Sequence, residues 1–317
     1  MAKQKNKNEP FDIIIIGAGV AGLAAAMYAG RMNLKTLVLG ESPVGGVITT
    51  TDMVENYPGF KKITGLDLAN AIKDHALEYK IKLEEDKVTE VKRIGSCFTL
   101  KTEEGKTYQS KTLLFATGTR HRELGVPGEK DLANRGVHRC ALCDGAFYKN
   151  KVVAVIGGSD SAAKEALVLT QWAKKVYIIY RGEKIRAEPV NQKRIEDKIK
   201  QKKIEIIYST NVKEIKGDNK VTAVILDKPY AGKKEFLLDA VFIEIGFVPL
   251  SDLAKNVGVA INDKGEIIIN RNAETNVPGV YAAGDVADTA FKQAITGVGE
   301  AVLAVYSAYK YLGENNG

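Results

Sequence analysis

The feature that most constrains this chain is a pattern that occurs twice. Phe11-Asp-Ile-Ile-Ile-Ile-Gly17-Ala-Gly19-Val-Ala-Gly22 runs from a strand-like apolar stretch into glycines that open an Ala-rich helix. Lys151-Val-Val-Ala-Val-Ile-Gly157-Gly158-Ser159-Asp160-Ser161-Ala162 repeats it. In the first copy Gly17 permits the tight turn, Gly19 lets the backbone approach a pyrophosphate and Gly22 lets the helix pack closely on the strand. The helix N-terminus then aims N–H groups at the phosphates. The second copy keeps Gly157 and Gly158 and has Ser159 and Ala162 at the later glycine positions. One adenine dinucleotide per copy predicts two different ones, and in redox chemistry that pair is a flavin and a nicotinamide.

A chain of 317 residues has room for two cores of ordinary size. The expected fold is α/β with two Rossmann-like dinucleotide-binding domains. The apolar run from Ile13 to Gly30 invites a reading as a signal peptide or membrane span. Asp12 ahead of it, the three glycines within it and its change from Ile-rich to Ala-rich composition argue for a buried strand, turn and helix. The protein is therefore expected in the cytoplasm, away from membranes, with residues 1–9 as a disordered tail. The net charge of +7 is densest at Lys193, Arg194, Lys198, Lys200, Lys202 and Lys203. Glu196 and Asp197 interrupt that run, and Ile195 and Ile199 give it helical spacing. It reads as a solvated helix face, a docking face for an acidic partner rather than for nucleic acid.

The second strand of each copy bears on the nucleotide. Leu34 to Leu39 ends at Gly40, so the nearest acid for a ribose hydroxyl is Glu41. Val176 to Tyr180 is followed by Arg181, Lys184 and Arg186, bases that lean toward a 2′-phosphate, while Glu183 pulls the other way. A solvated charged loop is the plain alternative.

Between the copies lies His138-Arg139-Cys140-Ala-Leu-Cys143-Asp144-Gly145. In a reducing compartment a close Cys pair is more often catalytic or metal-binding than a structural staple. Two intervening residues let the thiols reach disulfide distance, and a helix N-terminus or cation can make one of them an attacking thiolate. Asp144 is placed to exchange a proton with that thiolate. Zinc is the competing reading, with His138 as a third ligand. The remaining cysteine, Cys97, sits in strand-like Cys97-Phe-Thr-Leu and no second CxxC exists, so no metal is expected. Cys97 reads as core, and His75 and His121 as surface residues.

Taken together these residues resemble the low-molecular-weight thioredoxin reductases, FAD-dependent pyridine nucleotide-disulfide oxidoreductases, from Phe11 to Leu312. The motifs stand in that family's order. They are the first fingerprint, Gly45-Gly46, Val54-Glu-Asn56-Tyr-Pro-Gly59, Ala116-Thr117-Gly118, the CxxC with Asp144-Gly-Ala-Phe-Tyr148, the second fingerprint, Tyr281-Ala-Ala-Gly284-Asp285, and Lys292-Gln293-Ala294-Ile-Thr296. The resemblance implies an FAD domain from residues 10–118 and 249–317, with an NAD(P)H domain carrying the CxxC inserted over 119–248. Gly46, Asn56, Thr117 and Gly118 would then join the FAD site, Asp285 would bond the ribitol, and Gln293 and Ala294 would lie by the isoalloxazine. Cys143 would face the flavin, Cys140 would attack the substrate disulfide and Asp144 would act as acid. Enzymes of this kind rotate the inserted domain, and crossings near Gly118 and Gly246 would absorb the turn.

Independently of the resemblance, Val280 to Ala283 reads as a short strand, and Ile295, Val298, Val302, Val305 and Tyr309 as a helical stripe. Two departures from the family stand out. Val47 replaces a Gln, and Tyr180-Arg181-Gly182 with Arg186 keeps two of the four residues of a His-Arg-Arg…Arg signature for the 2′-phosphate. NADPH is favoured, with NADH or another donor open. The expected partner is a thioredoxin-like protein disulfide and the expected assembly a homodimer. A dithiol oxidase that passes electrons to oxygen and a non-enzymatic redox sensor remain as rivals.

Overall fold

The computed structural model describes residues 9–315. The chain divides into two units, Met1–Arg120 with Val248–Gly317, and His121–Phe247 between them. Of the expected tail, only Glu9 falls within the described residues, and it is exposed.

The first unit begins with β1 (Phe11–Ile16), α1 (Val20–Arg31), β2 (Thr36–Gly40), α2 (Gly65–Leu77) and β3 (Ile81–Glu85). β1 pairs in parallel with β2, and β2 with β3. Such strands lie between layers, which is why Ile13, Ile14 and Ile15 are completely buried and the segment is apolar without alternation. β4 (Val88–Ile94) and β5 (Cys97–Thr102) form an antiparallel pair leading to β6 (Thr107–Phe115). β6 returns to the other side of β1, in parallel with it. The winding direction therefore reverses between β1 and β6, and the carboxyl ends of those strands frame the crevice where ligands bind in open α/β sheets.

The chain then passes through β7 (Thr119–His121) into the second unit, which repeats the plan. β8 (Val137–His138) and the one-turn helix α3 (Ala141–Asp144) precede β9 (Val152–Ile156), α4 (Asp160–Leu169), β10 (Lys175–Ile179), α5 (Pro189–Lys200) and β11 (Ile204–Ile207). β12 (Val212–Lys216), β13 (Ala223–Tyr230) and β14 (Lys233–Leu237) make a separate antiparallel sheet before β15 (Ala240–Ile243). The main sheet is parallel throughout, in the order β11-β10-β9-β15-β8. The chain leaves along β16 (Phe247–Pro249), hydrogen-bonded to β7, and finishes the first unit with α6 (Asp252–Lys255), β17 (Val280–Ala282) and α7 (Ala294–Asn315). β17 pairs in parallel with the last residues of β6.

The two turns are built by the same bonds. Gly17 N–H donates to Leu39 O at 2.7 Å and Gly157 N–H to Ile179 O at 3.0 Å. Ala116 N–H donates to Ile16 O and Glu244 N–H to Ile156 O, both at 2.8 Å. The loop after each second strand folds back on its turn, through Gly45 N–H to Ala18 O at 2.9 Å and Arg186 N–H to Gly158 O at 2.6 Å.

The helical stripe expected near the C-terminus needs correcting. Val305 is buried, but Tyr309 is 49% exposed, and the face that packs is Gly297, Ala301, Ala304, Val305, Ala308 and Leu312. α7 lies on α1, whose Ala25, Ala26 and Ala29 share its core. Small residues on both sides allow a close approach, and the bulky side chains point outward. In the basic segment, Ile195 of α5 is buried and Ile199 is 39% exposed, so a single turn of the expected apolar side is anchored. Among the described residues no helix is long and apolar enough to cross a membrane.

Candidate active site

In the first unit glycine is demanded for two different reasons. A Cβ on Gly17, at φ +111°, would stand 2.2 Å from Ala116 O, and one on Gly22 would stand 1.9 Å from Gly17 O. Strand, turn and helix are in backbone contact there. At Gly19, the N-cap of α1, an added Cβ would meet nothing closer than 3.9 Å. Protein packing does not require glycine at that point, whereas a pyrophosphate approaching the helix N-terminus would, so the residues present fit a dinucleotide. Gly22→Ala is expected to cost about 1–3 kcal/mol of stability and to lower the flavin content of the purified protein. Full flavin occupancy with an unchanged unfolding curve would show that the contact relaxes freely.

Several other expected residues converge on this crevice. Gly45 bridges to Gly19, and a Cβ on Gly46 would stand 3.0 Å from the Gly19 Cα. Gly284 and Asp285 follow β17, and the Cβ positions at Gly284 and Gly297 come within 3.2 Å of Ala21 and 2.9 Å of Gly284 respectively. Asn56 donates to Gln293 Oε1 at 2.9 Å, joining two distant motifs just ahead of Ala294. Asp285 is partly buried, and burial raises its pKa against the pull of Lys292. Lys292 itself donates to the carbonyls of Asp285 and Ala287 and pairs with Glu266 at 3.1 Å. The Asp285 carboxylate receives no hydrogen bond among the described residues, which suits an acceptor for a ligand hydroxyl. Two residues are otherwise engaged. Thr117 donates its hydroxyl to Leu250 O at 2.7 Å, and exposed Glu41 pairs with Lys87 at 3.2 Å. Gly118 adopts φ +62°, and its carbonyl accepts from Leu250 N.

The second unit varies the same cradle. A Cβ on Gly157 would stand 2.1 Å from Glu244 O, as the first turn meets Ala116. Gly158 differs, because an added Cβ would lie 2.4 Å from the ring of Tyr180, and one on Gly182 would lie 2.7 Å from the same ring. Tyr180 is thus laid across two glycine α-carbons at the turn. Ser159 is the N-cap of α4 without a side-chain bond, Ser161 is half-buried, and Ala162 is buried with its methyl accommodated. Asp160 ties the turn to α5 by accepting from Glu188 N and Asn191 Nδ2 and pairing with Lys164. Burial alone would raise its pKa, but these partners hold it below the ordinary value. Arg181 and Arg186 are exposed and make no ion pair or side-chain hydrogen bond among the described residues.

Cys140 and Cys143 form a disulfide, with Cα atoms 5.4 Å apart. Cys140 is the N-cap of α3 and its sulfur accepts from Cys143 N at 3.1 Å. It is 8% exposed, whereas Cys143 is open to solvent. Glu165 of α4 accepts from Ala141 N and so holds the start of this short helix. His138, read from sequence as a third zinc ligand at most, instead packs its ring on Phe242. Its Nδ1 lies 3.0 Å from Asp144 Oδ2 and its Nε2 lies 2.7 Å from the Tyr148 hydroxyl. The Nδ1 contact has the distance of a hydrogen bond without its alignment, for the ring nitrogen is not directed at the oxygen. Burial lowers the His138 pKa more than Asp144 raises it, so the ring is neutral at neutral pH.

One functional candidate escaped the sequence reading. Glu244 ends the apolar run of β15, is 5% exposed, and makes no side-chain hydrogen bond or ion pair among the described residues. Burial, reinforced by Glu165 and opposed by Arg139, pushes its pKa up to about 8. The signal was a lone acid in Ala240-Val-Phe-Ile-Glu244-Ile-Gly246.

Comparison with known proteins agrees with this geometry. The family model described as pyridine nucleotide-disulphide oxidoreductase matches residues 11–301. Over 306 residues the chain is 40% identical to thioredoxin reductase of Listeria monocytogenes, spanning 96% of this chain and 94% of the relative. The crystal structure of Lactococcus lactis thioredoxin reductase superposes with a TM-score of 0.90 at 37% identity, covering 96% of this chain and 99% of that one. A ferredoxin-flavin thioredoxin reductase from Clostridium acetobutylicum is similar at 32% identity and a TM-score of 0.52, covering 96% and 99%.

Proposed function

Since the chain belongs to the pyridine nucleotide-disulphide oxidoreductase family, we propose that its first unit holds FAD, that its second takes NADPH, and that Cys140 and Cys143 carry electrons onward to a thioredoxin disulfide. It is a flavin-dependent disulfide reductase of the thioredoxin reductase type. The observation that carries the proposal is a disulfide at the head of a one-turn helix, in a chain that builds the same dinucleotide turn twice.

Bound FAD supplies the exchange between hydride transfer and two-electron reduction of a disulfide. The protein's share is binding, orientation and proton handling. Gly17, Gly19 and Gly22 would cradle the pyrophosphate of FAD beside Gly45 and Gly46, and Asp285 would accept a hydrogen bond from the ribitol. Asn56 and Gln293 brace the approach to Ala294. Cys143, the exposed sulfur, receives the electrons. Cys140, released as a thiolate under the N-terminal turn of α3, attacks the partner disulfide. Asp144 supplies a proton to the departing thiolate. Arg181 and Arg186 are free to meet a 2′-phosphate. A homodimer in the cytoplasm completes the reading.

One observation favours a second donor. The Tyr180 ring covers Gly158, where a nucleotide backbone would make its close approach, and the clostridial relative is named for ferredoxin. Anaerobic bleaching of the flavin band by stoichiometric NADPH or NADH, with Cys143→Ser as control, decides between the donors. Fast bleaching by NADPH is expected. Bleaching by reduced ferredoxin and by neither nucleotide would overturn the nicotinamide assignment.

A further inference from the structure

A second concavity lies in the first unit, away from the nucleotide turn. It has a volume of about 460 Å³, within the range of small-molecule sites, and is walled by the segment before β17, by β17 itself and by the C-terminal half of α7. It opens at the amino end of β17, beside Val277, Pro278 and Gly279, whereas Gly284 and Asp285 follow the carboxyl end of that strand. Tyr306, the first residue of α7 to line it, stands roughly 18 Å along the helix from Ala294. The cavity is therefore no part of the flavin crevice. Tyr281 lines it while only 2% exposed, and its hydroxyl has no hydrogen-bond partner among the described residues. A phenol so deeply placed ordinarily finds a partner for its hydroxyl. Burial raises its pKa, and Glu274, Tyr311 and Glu314 raise it further. These three residues, all lining the cavity, thus stand around the hydroxyl, and the phenol keeps its proton.

The surroundings favour a cation. Glu274 Oε2 accepts from Asn270 Nδ2 at 2.7 Å and leaves its other oxygen unpaired among the described residues, and Glu314 has no ion pair or side-chain hydrogen bond there. α7 ends at Asn315 without a basic residue in its last turn, so the negative end of its dipole adds to the two acids. The base that lines the cavity, Lys310, holds its ammonium 5.0 Å from the centre of the Tyr306 ring and pairs with neither carboxylate. That contact already sets a cation against one of the rings. We propose that the cavity binds a small organic cation rich in N–H donors, an alkyl amine or guanidine, held between the Tyr281 hydroxyl and the carboxylates of Glu274 and Glu314. All three groups can accept N–H bonds, and those to the carboxylates are charge-assisted. An aliphatic stem would lie along Val277 and Pro278. A metal ion suits the wall less well, because no group of metal-ligating side chains is assembled among the described residues. The site stands apart from how the chain obtains its electrons and where it sends them.

The test is calorimetric titration of the flavin-loaded full chain with agmatine, which carries an amine and a guanidine on a short aliphatic stem. Saturable binding of one molecule per chain is expected. Tyr281→Phe removes the hydroxyl alone. Since that group has no partner, the variant should keep the wild-type unfolding midpoint while binding agmatine about tenfold more weakly. Glu314→Gln, at an exposed position, should weaken binding by about threefold. Tetramethylammonium, which matches the charge without an N–H to give, should bind at least about tenfold more weakly than agmatine. No saturable binding to the wild type below about 10 mM would overturn the proposal. So would unchanged affinity in both variants, or tetramethylammonium binding as tightly as agmatine. Weakening by Glu314→Gln alone would leave only a surface attraction for cations and would overturn the site as well.

Discussion

Cys143→Ser is expected to lower turnover with thioredoxin disulfide by at least about a thousandfold while leaving flavin reduction by the donor in place, because it removes a nucleophile that nothing else replaces. The disulfide closes through Cys143, and this is the sulfur open to solvent, whereas Cys140 is 8% exposed. Without it, the remaining Cys140 thiol still forms an S–S bond to the partner, but no neighbouring thiolate arrives to break that bond. The variant should accumulate a covalent adduct visible on a non-reducing gel. An adduct trapped by Cys140→Ser instead would exchange the two roles. Turnover within tenfold of the wild type for both variants would exclude the pair from the reaction.

Glu244 should make the second unit less stable as the solution becomes more alkaline. Its carboxyl has an ordinary pKa of 4.5 and holds its proton to about 8 in the fold. Between those values the folded state keeps one proton that the unfolded state has lost, so stability falls as pH rises. The group is nearly inaccessible, and the penalty reaches about 3 kcal/mol at pH 7 and about 4 kcal/mol at pH 8. The chain's single tryptophan, Trp172, belongs to this unit and lies against the Gly145 Cα. Its fluorescence during denaturant unfolding therefore reports the relevant transition. Glu244→Leu is expected to remove about one proton's worth of the pH dependence and to raise stability at pH 8. An unchanged slope would mean that the carboxyl is ionised in the folded protein, with compensation from Arg139.

What the sequence disclosed was whatever is encoded within a dozen neighbouring residues. The two strand–turn–helix units and the CxxC are local patterns, and their glycines are forced by contacts a few residues away or by a ligand's approach. Beyond the domain division that the family resemblance implies, long-range placement was opaque. The buried face of α7 is lined mainly by alanines, whose periodicity a search for bulky apolar residues passes over, because its partner α1 is equally small. His138 was weighed only as a third zinc ligand at most, and its surroundings became visible once β8 was seen beside β15, bringing Phe242 under the ring and Tyr148 to its far nitrogen. Glu244 belongs to no local motif, and only the Gly157 turn against its carbonyl brings it into view. The three-stranded sheet of β12, β13 and β14 was not anticipated, for its short alternating strands lie within a segment that motifs leave blank.

Because both turns are held by equivalent main-chain bonds, whatever distinguishes the two nucleotides must reside in side chains added to a common backbone. The first turn meets Ala116 where the second meets Glu244, and Gly40 stands at the end of β2 where Tyr180 follows β10. Such positions can change without disturbing the strands that carry them. A lineage could then exchange one source of reducing power for another by drift at a handful of lining residues, while selection on folding remained indifferent. Electron supply and architecture are in that sense inherited separately, and choice of donor would be expected to vary faster within this family than fold or cysteine pair.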